Sequence, residues 1–95
     1  MSAERLIRVK EVFEDGAILQ ITVWRLREPV PPSRHPFKYS LFYGYPGIRL
    51  VAFDNERGKG DHCHVQDEEQ AYAFVSIQTL LADFAAEIRK TGRDL

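Results

Sequence analysis

Alternating apolar and polar positions over the first 26 residues predict β-structure. Two segments rich in β-branched and aromatic residues, Leu6–Phe13 and Ala17–Leu26, flank an Asp-Gly dipeptide that is typical of tight hairpin turns. A two-residue turn at this dipeptide would place Val9 opposite Thr22. Apolar side chains would then lie on both faces of the hairpin. We therefore expect one face to pack on a helix and the other to be covered by a loop or a partner.

A proline-rich connection and three further strands follow. Residues 27–38 carry four prolines, which lack ladder donors and favour an extended connection. Phe37–Tyr43 and Ile48–Asp54 flank a Pro-Gly turn and predict a second hairpin. A glycine-containing loop at 55–61 leads to a short strand, His62–Gln66. We expect the acidic residues 67–69 to form a turn and residues 71–75 to form a short extended piece.

The end of the chain has the periodicity of an amphipathic helix. Ser76 is the expected N-cap, and Gly92 is placed to end the helix. Apolar residues recur three and four positions apart, at Ile77, Leu80, Leu81, Phe84 and Ile88. The predicted fold is α+β, a twisted antiparallel sheet of about five strands packed against one C-terminal helix. A length of 95 residues predicts a single domain over 1–95.

The composition indicates a globular protein and argues against disordered, membrane-spanning and disulfide-rich classes. Apolar residues make up 44 % of the chain, which is typical of a globular fold and unlike a disordered chain. No apolar run approaches the roughly 20 residues of a membrane span, and residues 1–8 lack the apolar region of a signal peptide. The single cysteine excludes an internal disulfide framework. We expect a soluble cytoplasmic protein with no membrane association.

The net charge of −1 conceals a basic middle segment. Residues 29–53 contain no Asp or Glu and are rich in aromatic residues. Positive charge interleaved with flat side chains suits single-stranded nucleic acid, since cations contact phosphates and aromatic rings stack on bases. The candidate RNA-binding residues are Arg34, His35, Lys38, Tyr39 and Arg49. The alternative is a pair of strands whose aromatic residues are core and whose charges are solvated.

Most candidate chemistry lies in one block, residues 53–64, with the sequence FDNERGKGDHCH. His62 and His64 would share a face of a strand, where two imidazoles can act as general acid and base. Arg57 and Lys59, on the glycine-containing loop, could stabilise the negative charge of a phosphorane. Asp61 or Glu56 could orient an imidazole. These are the groups that cleavage of a phosphodiester requires.

Two other interpretations of the histidine pair remain open at this point. His62 and His64 could hold a divalent cation, with a third ligand from Asp61, Asp54 or His35. The pair could also be an inert hydrogen-bonded one. Only three histidines are present and Cys63 would face away, as a small buried side chain rather than a nucleophile. We therefore expect neither a closed zinc site nor a cofactor.

The block resembles the TumE family of small toxins from bacterial and archaeal toxin–antitoxin pairs. The family pattern reads roughly YDNERGKGDHRH, and this chain differs at Phe53 and Cys63. The run Tyr39–Gly44 and the residues at 24–25, 33–35 and 74–76 are also similar, so the resemblance covers nearly the whole chain. It implies a growth-inhibiting toxin that is neutralised by a helix-turn-helix antitoxin encoded beside it.

Together these observations predict a toxin that binds RNA and cleaves it without a metal. The alternatives are a non-catalytic module that blocks a cellular target and a metal-dependent nuclease. We expect the antitoxin, or a second copy of the chain in a homodimer, to dock on the second apolar face of the first hairpin and on the proline-rich segment.

Overall fold

The computed structural model describes residues 3–95, which form six antiparallel strands and one helix. Each strand pairs with the next along the chain, in the order β1-β2-β3-β4-β5-β6. The elements are β1 (Ala3–Val12), β2 (Ile18–Leu26), β3 (Phe37–Tyr45), β4 (Ile48–Glu56), β5 (Gly60–Val65), β6 (Glu68–Ala71) and α1 (Ile77–Arg89). The predicted α+β class is confirmed, and the sheet has six strands rather than about five.

The first hairpin has a three-residue turn, not the two-residue turn expected from the sequence. The Phe13 amide donates to the Ala17 carbonyl at 2.8 Å, and the Gly16 amide donates to the Phe13 carbonyl at 2.9 Å. Gly16 has a φ of +89°, which a glycine adopts without a Cβ penalty. The longer turn shifts the register by one residue, so Val9 lies opposite Ile21 and the predicted pairing is wrong.

Cross-strand pairing assigns every side chain to one of two faces, because directly paired residues point to the same side of a sheet. Leu41, Phe53 and Cys63 are paired in succession and lie on the side that α1 covers, which we call the helix face. Ala52 and His64 lie on the opposite side, which we call the open face. Polar side chains can contact each other across strands only when they lie on the same face.

Helix α1 packs on one face of the sheet and closes the hydrophobic core. Its buried residues are Leu80, Phe84 and Ile88, and the Phe84 ring meets the Phe53 ring edge-on at 6.0 Å between centroids. Ser76 caps the helix as predicted, with its hydroxyl accepting from the Thr79 amide at 3.0 Å. Within residues 3–95, no helix is both long and apolar enough to cross a membrane.

The proline-rich segment, residues 27–36, packs against the turn between β4 and β5. The Gly58 amide donates to the Pro31 carbonyl at 2.9 Å. A Cβ added to Gly60 would lie 3.0 Å from the Pro32 ring, and Gly60 has a φ of +79°. The glycines of this turn therefore let it form and approach the proline-rich segment closely.

Of the acidic residues 67–69, which were expected to form a turn, Asp67 does so and the other two do not. The chain reverses at Gln66 and Asp67, where Gln66 has a φ of +59°. Glu68 and Glu69 belong to β6, and only Ala71 of the predicted extended piece 71–75 lies in a strand. The extra strand places Glu69 directly opposite His64.

Candidate functional site

Two histidines and two carboxylates from three adjacent strands meet on the open face. We call this group, with the lysine that contacts it, the open-face cluster; its members are Asp54, Lys59, His62, His64 and Glu69. Asp54 on β4 pairs with His62 on β5, and His64 pairs with Glu69 on β6. Because paired residues share a face, the four side chains converge although they come from separate parts of the chain.

His62 has both ring nitrogens facing oxygen atoms. Its residue is only 4 % exposed, and its Nδ1 lies 2.9 Å from the carbonyl oxygen of Gly60. The Nε2 atom lies 2.8 Å from Asp54 Oδ1 and 3.5 Å from Glu69 Oε2. A carbonyl oxygen can only accept, so Nδ1 must carry a proton. A neutral ring would then direct the Nε2 lone pair at two carboxylates. This contact therefore requires a proton or a cation between the nitrogen and the oxygens.

Glu69 joins the second histidine to the lysine of the β4–β5 turn. His64 Nε2 lies 3.1 Å from Glu69 Oε2, and the same oxygen forms an ion pair with Lys59. The hydrogen bond from Lys59 lowers the pKa of Glu69, and the same bond raises the pKa of Lys59. Glu69 is thus held as a carboxylate that contacts both His64 and the ammonium group.

Asp61 lies apart from the open-face cluster. It precedes His62 and therefore points to the helix side, where its carboxylate contacts His35 at 2.7 Å, Tyr39 at 2.7 Å and Ser33. Desolvation acts to raise the pKa of Asp61, but the hydrogen bonds from these three side chains outweigh it and lower the pKa. The expectation that Asp61 orients one of the β5 imidazoles is corrected, because Asp61 holds His35 instead.

Of the two remaining residues of the predicted reaction centre, Glu56 lies beside the open-face cluster and Arg57 faces the proline-rich segment. Glu56 is exposed at the end of β4, and its carboxylate can approach the donor atoms of Asp54 and His62 to within 4.8 Å. Arg57 is exposed in the turn between β4 and β5. Arg57 lines a cavity with Ala3 and residues 26–30. Glu56 is positioned to contact a ligand at the cluster, and the contacts to the imidazoles come from Asp54 and Glu69.

The five candidate RNA-binding residues are spread over different parts of the molecule. Tyr39 is 1 % exposed and points into the core, so it offers no ring face to a base and its assignment is corrected. Arg34 and His35 line a groove beside the start of α1, on the helix side. Arg49 lies five residues before Asp54 on β4, about 17 Å along the strand. Lys38 is on the open face, and its Nζ donates to the Asn55 carbonyl at 2.6 Å.

Strand β1 adds positive charge to the open face that composition did not reveal. Its three basic residues, Arg5, Arg8 and Lys10, pair with Trp24, Thr22 and Gln20, which lie on the open face. Glu11 pairs with Leu19 on the other face. Residues 1–28 are neutral as a whole, but the strand register separates the charges by face. The phenyl ring of Phe42, next to Ala52, is an aromatic group on the same face.

Cys63 is separated from the histidines that flank it in sequence. It is buried on the helix face, and burial raises the pKa of its thiol. A raised pKa leaves little of the reactive thiolate at neutral pH. This agrees with the expected role as a small buried side chain.

Glu69 is the member of the open-face cluster that sequence reasoning missed. The acidic run around it was typical of a turn, and only pairing between β5 and β6 places it beside His64. The sequence signal that could have revealed Glu69 is the alternation of residues between faces on β6: Glu69 and Ala71 share one face, and Glu68 and Gln70 share the other.

Comparison with known proteins identifies the family. The chain matches the family model described as Toxin TumE over residues 2–91. Neither the curated proteins nor the solved structures contain a match to it. The matched range includes all six strands, the helix and the open-face cluster. The chain therefore belongs to the TumE toxin family, and it is the toxin component of a toxin–antitoxin system.

Proposed function

We propose that this toxin inhibits growth by cleaving RNA, with the open-face cluster as the reaction centre. The observation that carries the proposal is the convergence of His62, His64, Asp54 and Glu69 on the side of the sheet that the helix leaves uncovered. Imidazoles held by carboxylates are groups that transfer protons near neutral pH. The family supports a toxin with an antitoxin partner, and RNA as the substrate is our inference.

Charge on the open face supports a polyanionic substrate. Basic side chains extend from the cluster across the open face toward β1, and the set comprises Arg5, Arg8, Lys10 and Lys38, with Lys59 inside the cluster. Cations spread along one face follow the phosphates of a bound strand, and an aromatic ring among them can stack on a base. Phe42 takes the stacking role that the sequence had assigned to Tyr39.

RNA supplies its own nucleophile, so cleavage can proceed without a metal. A general base removes the proton of the 2′-hydroxyl, the 2′-oxygen attacks phosphorus, and a general acid protonates the departing 5′-oxygen. His64 and His62 are the proposed pair for these transfers, with Glu69 and Asp54 orienting them. Lys59 and Arg57 stabilise the negative charge of the phosphorane. The products are a 2′,3′-cyclic phosphate and a 5′-hydroxyl.

A cation-dependent nuclease is the second candidate, and one specific observation favours it. His62 is 4 % exposed and both of its nitrogens face oxygens, an arrangement suited to a metal ligand as well as to a proton donor. Water activated by a cation would leave different ends, a 5′-phosphate with a 3′-hydroxyl or the reverse. The chemistry of the product ends therefore separates the two candidates.

The antitoxin is proposed to be a helix-turn-helix protein that acts on the toxin in the cytoplasm. Strand β1 is the proposed docking element, because its outer edge has no strand beside it among residues 3–95 and Leu6, Val9 and Val12 are exposed. A second copy of the chain is the alternative occupant, which would make a homodimer. The proline-rich segment, which packs on the β4–β5 turn, is proposed to contribute through its exposed residues.

His64→Gln is the clean test of the reaction centre. The substitution removes the titratable ring from a partly exposed position, whereas a change at buried His62 would also leave Asp54 unpaired and destabilise the fold. We expect cleavage of a labelled single-stranded RNA by the purified toxin to fall by about 10²–10⁴-fold and growth inhibition to be lost. The matched control is Asp67→Ala, an exposed change in the turn before β6, with activity retained.

Two results would count against the proposal. Full toxicity of a folded His64→Gln protein would show that the imidazole does no chemistry. A toxic wild-type protein that leaves RNA intact, with and without added divalent cations, would instead support the non-catalytic module that blocks a cellular target.

A further inference from the structure

We infer that the open-face cluster is a binding site for one divalent transition-metal cation, of which Zn²⁺ is the best fit. The three donors are Nε2 of His62, Nε2 of His64 and Oε2 of Glu69, and Oδ1 of Asp54 lies beside the first of them. Two imidazole nitrogens with one carboxylate oxygen form a ligand set that zinc and its first-row neighbours accept, and a fourth position stays open for water. Magnesium and calcium prefer oxygen ligands alone, so they fit this set less well.

The distances between the donor atoms are close to those expected around a single bound ion. In a tetrahedral zinc site with bonds of 2.0–2.2 Å, ligand atoms are separated by about 3.3–3.5 Å. The Nε2 atom of His62 is 2.8 Å from Asp54 Oδ1 and 3.5 Å from Glu69 Oε2, and His64 Nε2 is 3.1 Å from Glu69 Oε2. The donor atoms of His62, His64 and Glu69 all lie within 4.8 Å of one another.

Hydrogen bonding outside the ligand set prepares His62 for this role. Its Nδ1 donates to the Gly60 carbonyl at 2.9 Å, which fixes the ring orientation and leaves the lone pair of a neutral ring on Nε2. A ligating histidine ordinarily donates its other N–H to a carbonyl or a carboxylate. The geometry of His62 is therefore that of a ligand before any ion is present.

Asp54 supplies an independent indication. Among residues 3–95, its buried Oδ1 has no hydrogen-bond donor apart from the imidazole nitrogen of His62. A carboxylate oxygen out of contact with water needs a donor or a cation, because an unpaired buried charge is costly. A cation on Nε2 of His62 would lie beside this oxygen and offset its charge.

Lys59 would compete with the cation for the carboxylate of Glu69. Its ammonium group forms an ion pair with Glu69 Oε2, the same oxygen that the cation would use. The side chain is half exposed and flexible, so it can turn toward solvent when a divalent ion arrives. Removing Lys59 should therefore strengthen cation binding, an effect that a purely structural lysine would not have.

The consequence for activity rests on the proposed function, whereas cation binding does not. With a bound ion the toxin would act as the second candidate, the cation-dependent nuclease: His62 and His64 would be ligands, and the cation would activate a water in its open position. The water proton would pass to Asp54, the bond from phosphorus to the leaving oxygen would break, and that oxygen would take a proton from solvent water.

Titration of the metal-free protein tests the inference directly. Toxin purified in the presence of a chelator and freed of it is titrated with Zn²⁺ by calorimetry, and with Co²⁺ by visible absorption. We expect one ion per chain and the absorption bands of tetrahedral Co²⁺. His64→Ala should abolish detectable binding, and Asp54→Asn should weaken it by at least about 10–100-fold. The matched control is His35→Gln, a change at the histidine on the helix side, with binding retained.

A second pair of variants tests the competition. Lys59→Ala should bind Zn²⁺ more tightly than the wild type, whereas Lys90→Ala, which removes an exposed lysine paired with Glu87 near the end of α1, should bind equally well. The inference is overturned if the wild type binds no ion, if His64→Ala binds as tightly as the wild type, or if Lys59→Ala binds more weakly.

RNA cleavage assays distinguish failure of the cation-site inference from failure of the proposed function. Cleavage by ion-free toxin in excess chelator would refute the cation site as a functional centre and leave the ribonuclease proposal intact. Stoichiometric ion binding with no RNA cleavage by the loaded toxin would refute the ribonuclease proposal and leave the cation site intact.

Discussion

Asp61→Ala should destabilise the fold strongly, because the carboxylate anchors the proline-rich segment and β3 to β5. Its Oδ2 accepts from Tyr39 Oη and contacts His35 Nε2, each at 2.7 Å, and its Oδ1 accepts from Ser33. His35 Nδ1 accepts from the Phe37 amide at 3.2 Å, so Nε2 is the protonated nitrogen and donates to Asp61.

The magnitude follows from the donors that would be left without an acceptor. The two donors at Oδ2 set the lower bound: Tyr39 is 1 % exposed and the His35 side chain is 15 % exposed, so water reaches both poorly. Each stranded donor costs about 1–3 kcal/mol, which gives a total of about 2–6 kcal/mol. Asp61→Asn should cost less, about 1–2 kcal/mol, because an amide oxygen can still accept from both donors and only the charge is lost.

Urea unfolding followed by the fluorescence of Trp24, the single tryptophan, measures both values. Hydrogen exchange should become faster over residues 27–36 in the alanine variant. The exposed Asp67→Ala is the control and should stay within about 0.5 kcal/mol of the wild type. If Asp61→Ala were as stable as the wild type but had lost toxicity, the anchoring role would be refuted and Asp61 would belong to the reaction centre.

Three further predictions concern the core, the open face and the antitoxin. Phe84→Ala should lower the free energy of unfolding by about 3–5 kcal/mol, because its side chain is buried. Leu81→Ala, at a partly buried position, should lower it by no more than about 2 kcal/mol. Equal effects of the two substitutions in urea unfolding would mean that α1 is rotated on the sheet. Arg8→Ala should reduce the salt dependence of RNA binding by about 0.7 log units per tenfold change in salt, and an unchanged slope would remove β1 from the RNA surface. Addition of the antitoxin should slow hydrogen exchange across residues 3–12, and unchanged exchange there would exclude β1 as its docking element.

Local patterns in the sequence determined the elements of the fold. The period of the apolar residues and the capping serine predicted α1, since both depend on residues within one or two turns of each other. Alternation and turn residues predicted most strands. The histidine block and its resemblance to TumE toxins identified the family, which the match over residues 2–91 confirms.

Only the tertiary structure decided which of these residues meet. The register of β1 depends on whether the first turn has two or three residues, and one residue decides the face of every side chain on the strand. The contact of Asp61 with His35 spans 26 positions, and that of His64 with Glu69 requires a strand inside an acidic run. Side chains alternate along a strand, so neighbours in sequence such as Asp61 and His62 are on opposite faces. The composition of the candidate site was therefore set by cross-strand pairing, which connects residues whose separation along the chain carries no periodic signal.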